Sequence, residues 1–321
     1  MKLTARSLLS LTALVLCAAR LAAADAVELR QQWQVGKKYT QVMDMAQISS
    51  FTVGEQKIEQ KMNMTAEVST AVKQHEDGKQ KRLTAKYDRV TMKIVMNGQE
   101  SGFDSAKPDS DAIGVGKVFA AMTGRDLKLV ANEKDEITGI ENFDEFVAAA
   151  GGGAAGPQLA QFFNKDSLTE MLKQGALKAM PGKPVNPGDS WPFGSNTKMP
   201  PIGQIAIKGT YTFKGMAPHG GIPCAEIAVD ANMNIDFTAQ APGDAKPDGP
   251  AAALAALGMK MTGGKLAGTV WFDPALGMAR DSEFSQEMAI TMKNPAQPDA
   301  TMTIPMKQII TQKLTKVEDV K

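Results

Sequence analysis

Residues 58–72 read Ile58-Glu59-Gln60-Lys61-Met62-Asn63-Met64-Thr65-Ala66-Glu67-Val68-Ser69-Thr70-Ala71-Val72. Ile58, Met62, Met64, Ala66, Val68 and Val72 fall on one parity. Glu59, Lys61, Asn63, Thr65, Glu67 and Ser69 fall on the other. A strand sends alternate side chains to opposite faces, whereas a helix of 3.6 residues per turn would mix the two sets. The stretch is a half-buried antiparallel strand.

The same period governs the chain on either side. After a turn at Glu76-Asp77-Gly78-Lys79, Leu83, Ala85 and Tyr87 hold one parity and Val90, Met92, Ile94 and Met96 the other. Both stretches can face one core only if an extra residue enters the strand, so a β-bulge is predicted near Asp88-Arg89. Asn97-Gly98 then marks a tight hairpin. In the second half Ile205, Ile207, Tyr211 and Phe213 alternate, as do Ile227, Val229, Ala231, Met233, Ile235 and Phe237. Leu266, Val270 and Phe272 lead into the turn Asp273-Pro274-Ala275-Leu276-Gly277. Phe284, Met288, Ile290 and Met292 follow, and Met302, Ile304, Met306, Ile310 and Leu314 form the last strand. Runs longer than 12 residues reach about 40 Å, a length that belongs to a strongly curved sheet or a barrel.

Between these sets the pattern turns helical. Asn142 to Ala150 reads as a helix ended by Gly151-Gly152-Gly153, and Pro157 to Phe163 and Asp166 to Met180 read as further helical pieces. Pro181 to Pro192 is a connector, and Ala239 to Gly264 a long loop. The predicted fold is therefore β-dominated α+β: long, strongly curved antiparallel strands in two sets with a short helical segment between them. The divisions are 1–24 (a leader), 25–140 (first strand set), 141–187 (helical connector with Gly/Pro-rich linkers) and 188–321 (second strand set), with 25–321 as one continuous domain the other reading. Both sets open on a similar signal, Gly36-Lys37-Lys38-Tyr39 and Gly188-Asp189-Ser190-Trp191.

The leader has a basic start (Lys2, Arg6), an apolar stretch from Ser7 to Ala19 and small residues at Ala22-Ala23-Ala24, the pattern of a secretory signal peptide cut between Ala24 and Asp25. The apolar stretch is shorter than the roughly 20 residues of a transmembrane helix. Export to the periplasm or beyond is expected. The whole chain of 321 residues carries a formal charge of +1. Lys2, Arg6 and Arg20 leave with the leader and no acid does, which brings the balance to −2. Neither value suits a partner recognised through its phosphates, so nucleic acid is excluded as a partner class. Cys17 also leaves, so Cys224 has no partner for an internal disulfide. No later apolar run is long enough for an integral membrane segment.

Catalytic signatures do not emerge. His75 and His219 each sit beside turn residues and read as solvated. Ser195-Asn196-Thr197-Lys198 has the S-x-x-K spacing of penicillin-recognising enzymes. That chemistry needs a helical turn to bring amine to hydroxyl, and flanking Pro192 and Pro200 oppose one. Asp109-Ser110-Asp111 with Gly114 has a calcium-loop start but places Ile113 where an oxygen ligand belongs. Gly114-Val115-Gly116 reads as a loop. Cys224 reads as a packed thiol, with no His to activate it. No cofactor is expected, and the protein is read as non-enzymatic.

Methionine is the unusual feature. Beyond Met1 there are 19, many on the apolar parity, with M-x-M pairs at Met43/Met45, Met62/Met64 and Met259/Met261. Three readings compete: plain core filler, an adaptable apolar surface for a lipid or hydrophobic peptide, and soft-metal (copper) binding by thioethers. The candidate ligand-lining residues are Met62, Met64, Met92, Met96, Met288 and Met302.

The leader, the Gly-x-x-aromatic opening, the hairpin Gly268-Thr269-Val270-Trp271-Phe272-Asp273-Pro274-Ala275-Leu276-Gly277 and the long last strand resemble a family of uncharacterised bacterial secreted proteins of about 300 residues with no assigned activity. The hairpin is also similar to those of the curved half-barrels of lipoprotein-carrier proteins, which hold acyl chains between a sheet and helices. The resemblance implies an exported binding module for an apolar ligand or an envelope partner. A structural or interaction protein with a filled core is the alternative, and copper binding through the Met-x-Met pairs the third reading.

Overall fold

Long alternating runs must find neighbours for their backbone groups, and in this chain nearly all of them do so in one sheet. The computed structural model describes residues 26–53, 56–107, 115–151, 165, 168, 169, 172, 180–199, 203–236, 258–294 and 297–320. The leader with its Ala24/Asp25 junction, the Asp109–Gly114 turn and the helix expected over 157–163 lie outside them. In the first half the strands are β1 (Val27–Glu28), β2 (Lys37–Val53), β3 (Gln56–Gln74), β4 (Lys81–Met96), β5 (Gln99–Asp104), β6 (Asp126–Ala131) and β7 (Ile137–Ile140). The second half supplies β8 (Pro184–Val185), β9 (Ser190–Met199), β10 (Gly203–His219), β11 (Ile222–Asp236), β12 (Lys260–Asp273), β13 (Met278–Asn294) and β14 (Gln297–Asp319). Among the described residues there are two short helices, α1 (Val115–Met122) between β5 and β6 and α2 (Phe143–Gly151) between the two sets.

Among the described residues twelve strands form one antiparallel sheet in the order β7-β6-β4-β3-β2-β14-β13-β12-β11-β10-β9, with β5 beside β4 and a separate β1–β8 pair. The sheet is curved and open, a β-dominated α+β arrangement as the alternation requires. The last strand returns to pair with β2, joining the two sets edge to edge. The predicted bulge is present: Glu67 pairs Arg89 but Val68 pairs Tyr87, leaving Asp88 as the extra residue that brings Tyr87 back onto the face of Val90. Asn97 (φ 51°) and Gly98 (φ 81°) make the two-residue hairpin between β4 and β5, both in the left-handed region that a type I′ turn demands.

Two expectations need correction. Val115 and Gly116 open α1 rather than a loop; two glycines within three residues signalled a turn, but Val118, Phe119 and Met122 have the spacing of an apolar helix face. Lys260 to Gly264, read as the end of a long loop, already belong to β12. Its start holds a bulge between Thr262 and Lys265 that breaks the alternation.

One face, here called inner, carries the core. At one end Tyr39, Val72, Leu83, Leu129 and Ile140 pack under Phe143 and Val147 of α2, with Leu168, Leu172 and Trp33 beside them. The side chain of Asn142 ties the start of α2 to β6, accepting from the Lys128 amide (2.8 Å) and donating to the Asp126 carbonyl (2.9 Å). Buried Asp135 accepts from the Trp33 amide and from Lys81, pinning the N-terminal segment over this end. Across the sheet a second cluster joins Leu29, Val185, Trp191, Phe213, Ile227 and Phe272. A third joins Met64, Ala66, Val90, Met92 and Phe103, with Phe119 of α1 against it.

Candidate functional site: the middle of the inner face

In an antiparallel ladder, residues directly opposite one another project to the same face. The register therefore lays out rungs across β2, β14 and β13. Gln47, Gln308 and Gln286 form one rung. On one side of it lies Met45–Ile310–Phe284, and on the other Ser49–Met306–Met288. Beyond Met306 come Ile304 opposite Ile290 and Met302 opposite Met292, with Met261 of β12 next to Ile290.

This middle is built from the same parity as the core yet is not buried like it. Phe213, Ile227 and Phe272 at one end are 0% exposed. Met288, Ile290, Met292, Met302, Ile304 and Met306 are only half-buried. A hollow of about 500 Å³ is lined by Ser49, Met288, Met306, Pro305 and Gly263, with the outer-parity Glu287 and Lys307 at its border. A second, about 360 Å³, is lined by Phe51, Met302 and Thr303, with Lys57 at its border.

Two glycines shape the inner face, one beside the middle and one at the β9 edge. A Cβ on Gly268 would meet the Glu283 carbonyl oxygen at 2.2 Å and the Phe284 ring at 2.6 Å, so the ring of Phe284 lies on bare backbone. Phe193 covers Gly209 in the same way, at 2.6 Å.

The electrostatics separate the two faces. No Asp, Glu, Lys or Arg occupies the inner parity of β2 from Tyr39 to Phe51, of β13 from Ser282 to Met292, or of β14 from Met302 to Leu314. The outer parity of the same strands carries Lys38, Asp44, Glu283, Glu287, Lys307 and Lys313, with Lys307 and Glu287 paired at 3.0 Å. The amides of the glutamine rung are weakly engaged. Gln286, 6% exposed, donates to Met233 Sδ at 3.4 Å, and Gln47 donates to Met306 Sδ at 3.8 Å. Gln308 makes no side-chain hydrogen bond among the described residues.

The six expected lining residues all lie on the inner face, in two groups. Met64 and Met92 are opposite one another and buried in a packed cluster. Met62 is half-buried beside them, and Met96 is 48% exposed at the strand end. Met288 and Met302 border the two hollows. The register adds residues beyond those six: the Met43/Met45 pair bridges the two groups through β2, and three glutamines that sequence inspection did not single out cross the middle. Their common parity was visible in the sequence; their adjacency depends on the pairing of β14 with β2.

His75 is not simply solvated: its Nε2 lies 3.0 Å from Glu141, which accepts a fork of bonds from Arg82. That guanidinium, with His75, holds the Glu141 carboxyl below the usual range. His219 stacks on Trp271 (centroids 4.4 Å apart, 17° between planes) and meets Asp281 at 3.1 Å. Ser195 and Lys198 lie in the extended β9, not on a helical turn. Cys224 is a free, buried thiol whose pKa burial pushes up, away from a nucleophile. No cluster of three His, Cys, Asp or Glu placed to hold a metal occurs among the described residues. No helix among them is long and apolar enough to cross a membrane.

An open, curved antiparallel sheet with helices and core on one face, and a charge-free middle on that face, defines a half-barrel β protein. The chain belongs to DUF6263, a family of unknown function whose model matches residues 77–279. That match runs from the β3–β4 turn to the start of β13. No curated protein matches the chain. Similar solved structures include lipovitellin, in a study of its lipid–protein interactions, at 12% identity and a TM-score of 0.44 over 90% of this chain. This chain spans 26% of that one. DynF of the dynemicin biosynthesis pathway of Micromonospora chersina is 7% identical with a TM-score of 0.24, covering 94% of this chain and 88% of its own. A DUF1329 family protein from Desulfovibrio piger is 9% identical with a TM-score of 0.16, covering 87% and 85%.

Proposed function

We propose that this is a non-enzymatic, exported protein that holds an apolar ligand against the middle of its inner face. One observation carries the reading. The inner parity is buried under α2, Trp33 and the β1–β8 pair, where Met278 and Leu314 belong to the core, and is left half-buried along Met288–Met292 of β13 and Met302–Met306 of β14, where Met and Ile would otherwise gain from cover. Burying a side chain of this size stabilises by about 1.5–3 kcal/mol, so a face left part-open forgoes stability that a ligand can supply. Methionine suits the role because an unbranched thioether chain re-packs around varied apolar partners. Export rests on the leader pattern at residues 1–24.

Native mass spectrometry of the protein isolated from its own cell envelope, without detergent exchange, tests the reading. Added mass in the range of a lipid supports it. Bare chain mass favours the filled structural protein, and a copper-sized increment favours the Met-x-Met pairs as ligands. N-terminal sequencing of the same sample is expected to begin at Asp25.

A further inference from the structure

We infer that the ligand is an uncharged acyl ester, seated with its chain along Met302–Met306 and Met288–Met292 and its carbonyl at the Gln47–Gln308–Gln286 rung. The inference rests on the binding reading above and goes on to name the chemical class. Three features of the face support it. The first is charge: over three adjacent strands the inner parity offers no ion to meet a carboxylate, phosphate or ammonium. The charged residues that border the hollows, Glu287, Lys307 and Lys57, stand on the outer parity and are already paired, with one another or with Glu59, so a charge brought to the inner parity would lose water without gaining a partner.

The second feature is the rung itself. Each glutamine amide has two donor hydrogens and a carbonyl. Here the contacts those donors make are to thioether sulfurs, among the weakest acceptors in a protein, or are absent. An ester carbonyl is a better acceptor than either sulfur, and Gln308 stands between its two neighbours with no bond to give up.

The third is the ratio of polar to apolar surface. From Gln308 to Met302 is six residues, about 20 Å along the strand, and the inner parity there is Met306, Ile304 and Met302. An acyl ester has one polar group at the head of a long apolar chain and matches that layout. An extended peptide carries a donor and an acceptor at every residue, each needing a partner, and would find them at one rung only.

Three matched probes separate the possibilities: pyrene-tagged dodecane, pyrene-tagged dodecanoic acid, and the methyl ester of that acid. Each is titrated by fluorescence into the wild-type chain and into Gln308→Leu. The ester is expected to bind the wild type about 3- to 10-fold more tightly than the hydrocarbon, the yield of one hydrogen bond, and the acid more weakly than the ester. Gln308→Leu should remove the ester's advantage over the hydrocarbon. Gln308 is half-buried and leucine is close in shape, so the variant should fold, and Gln286→Leu repeats the test from the adjacent strand. If no probe binds, the apolar-ligand reading itself fails. If hydrocarbon and ester bind alike in both proteins, that reading stands and the ester inference falls. Tightest binding by the acid, or displacement of the ester by an apolar peptide but not by triolein, also overturns it.

Discussion

The sealed ends of the inner face and its half-open middle belong to one sheet and share the same parity and much the same residue types, yet they behave differently. Val72, Leu83 and Leu129 at one end lie under α2 and Trp33. Phe213, Ile227 and Phe272 at the other lie beside Leu29, which follows β1, and Val185 of β8. Met288, Ile290, Met302 and Ile304 keep part of their surface accessible. Alternation decides which face a side chain joins; covering elements decide whether that face becomes core. A strand pattern alone therefore identifies a sheet face and leaves open what sits on it.

The comparison can be broken most forcefully at the sealed end. Phe272→Ala removes a fully buried ring and is expected to cost about 3–5 kcal/mol, read from the denaturant midpoint; a loss under about 1 kcal/mol would mean this end is not packed. Met92→Ala, in the third cluster, should cost about 2–5 kcal/mol, whereas Met306→Ala, bordering the larger hollow, should cost under about 1.5 kcal/mol. Equal losses at the two methionines would erase the distinction between filled and open regions. Gly268→Ala falls between: its Cβ collides with the Glu283 carbonyl and the Phe284 ring, with an expected loss of about 1–3 kcal/mol and displacement of that ring.

The smallest effect belongs to the clasp of Arg82, Glu141 and His75 beside the first sealed end. Because Arg82 depresses the Glu141 pKa from its ordinary value of 4.5, the carboxylate's contribution is complete above that value and is lost as pH falls through the lower folded value. Arg82→Met should therefore lower the thermal midpoint slightly at neutral pH and not at all once Glu141 is protonated. A difference that persists in acid would assign the effect to packing of the arginine stem instead.

Much of this architecture was legible in the sequence, and particular residues show why. The parity break at Asp88-Arg89 located a bulge because only an extra residue could keep Tyr87 and Val90 on one face. Asn97-Gly98 located a hairpin because its two residues tolerate positive φ. The edge strand β9 was hidden, since Pro192, Gly194 and the flanking Pro200-Pro201 are turn and breaker signals. Its pairing comes from β10, which supplies Ile207 opposite Ser195 and Tyr211 opposite Trp191. The candidate site was half legible. Six methionines were placed on one shared face by period alone. The glutamine rung was not, because each glutamine sits singly in its own strand and the three meet only through the return of β14 to β2, more than 250 residues along the chain.

Methionine oxidation tests the central claim most directly. The protein as isolated from its envelope, and the same protein after extraction with organic solvent and refolding, would be exposed to dilute hydrogen peroxide and the rate at each methionine read by peptide mass spectrometry. Met288, Met302 and Met306 should be protected as isolated and become fast after extraction, while buried Met64 and Met92 stay slow in both. Identical rates at Met288, Met302 and Met306 in the two preparations would contradict a ligand held on the inner face.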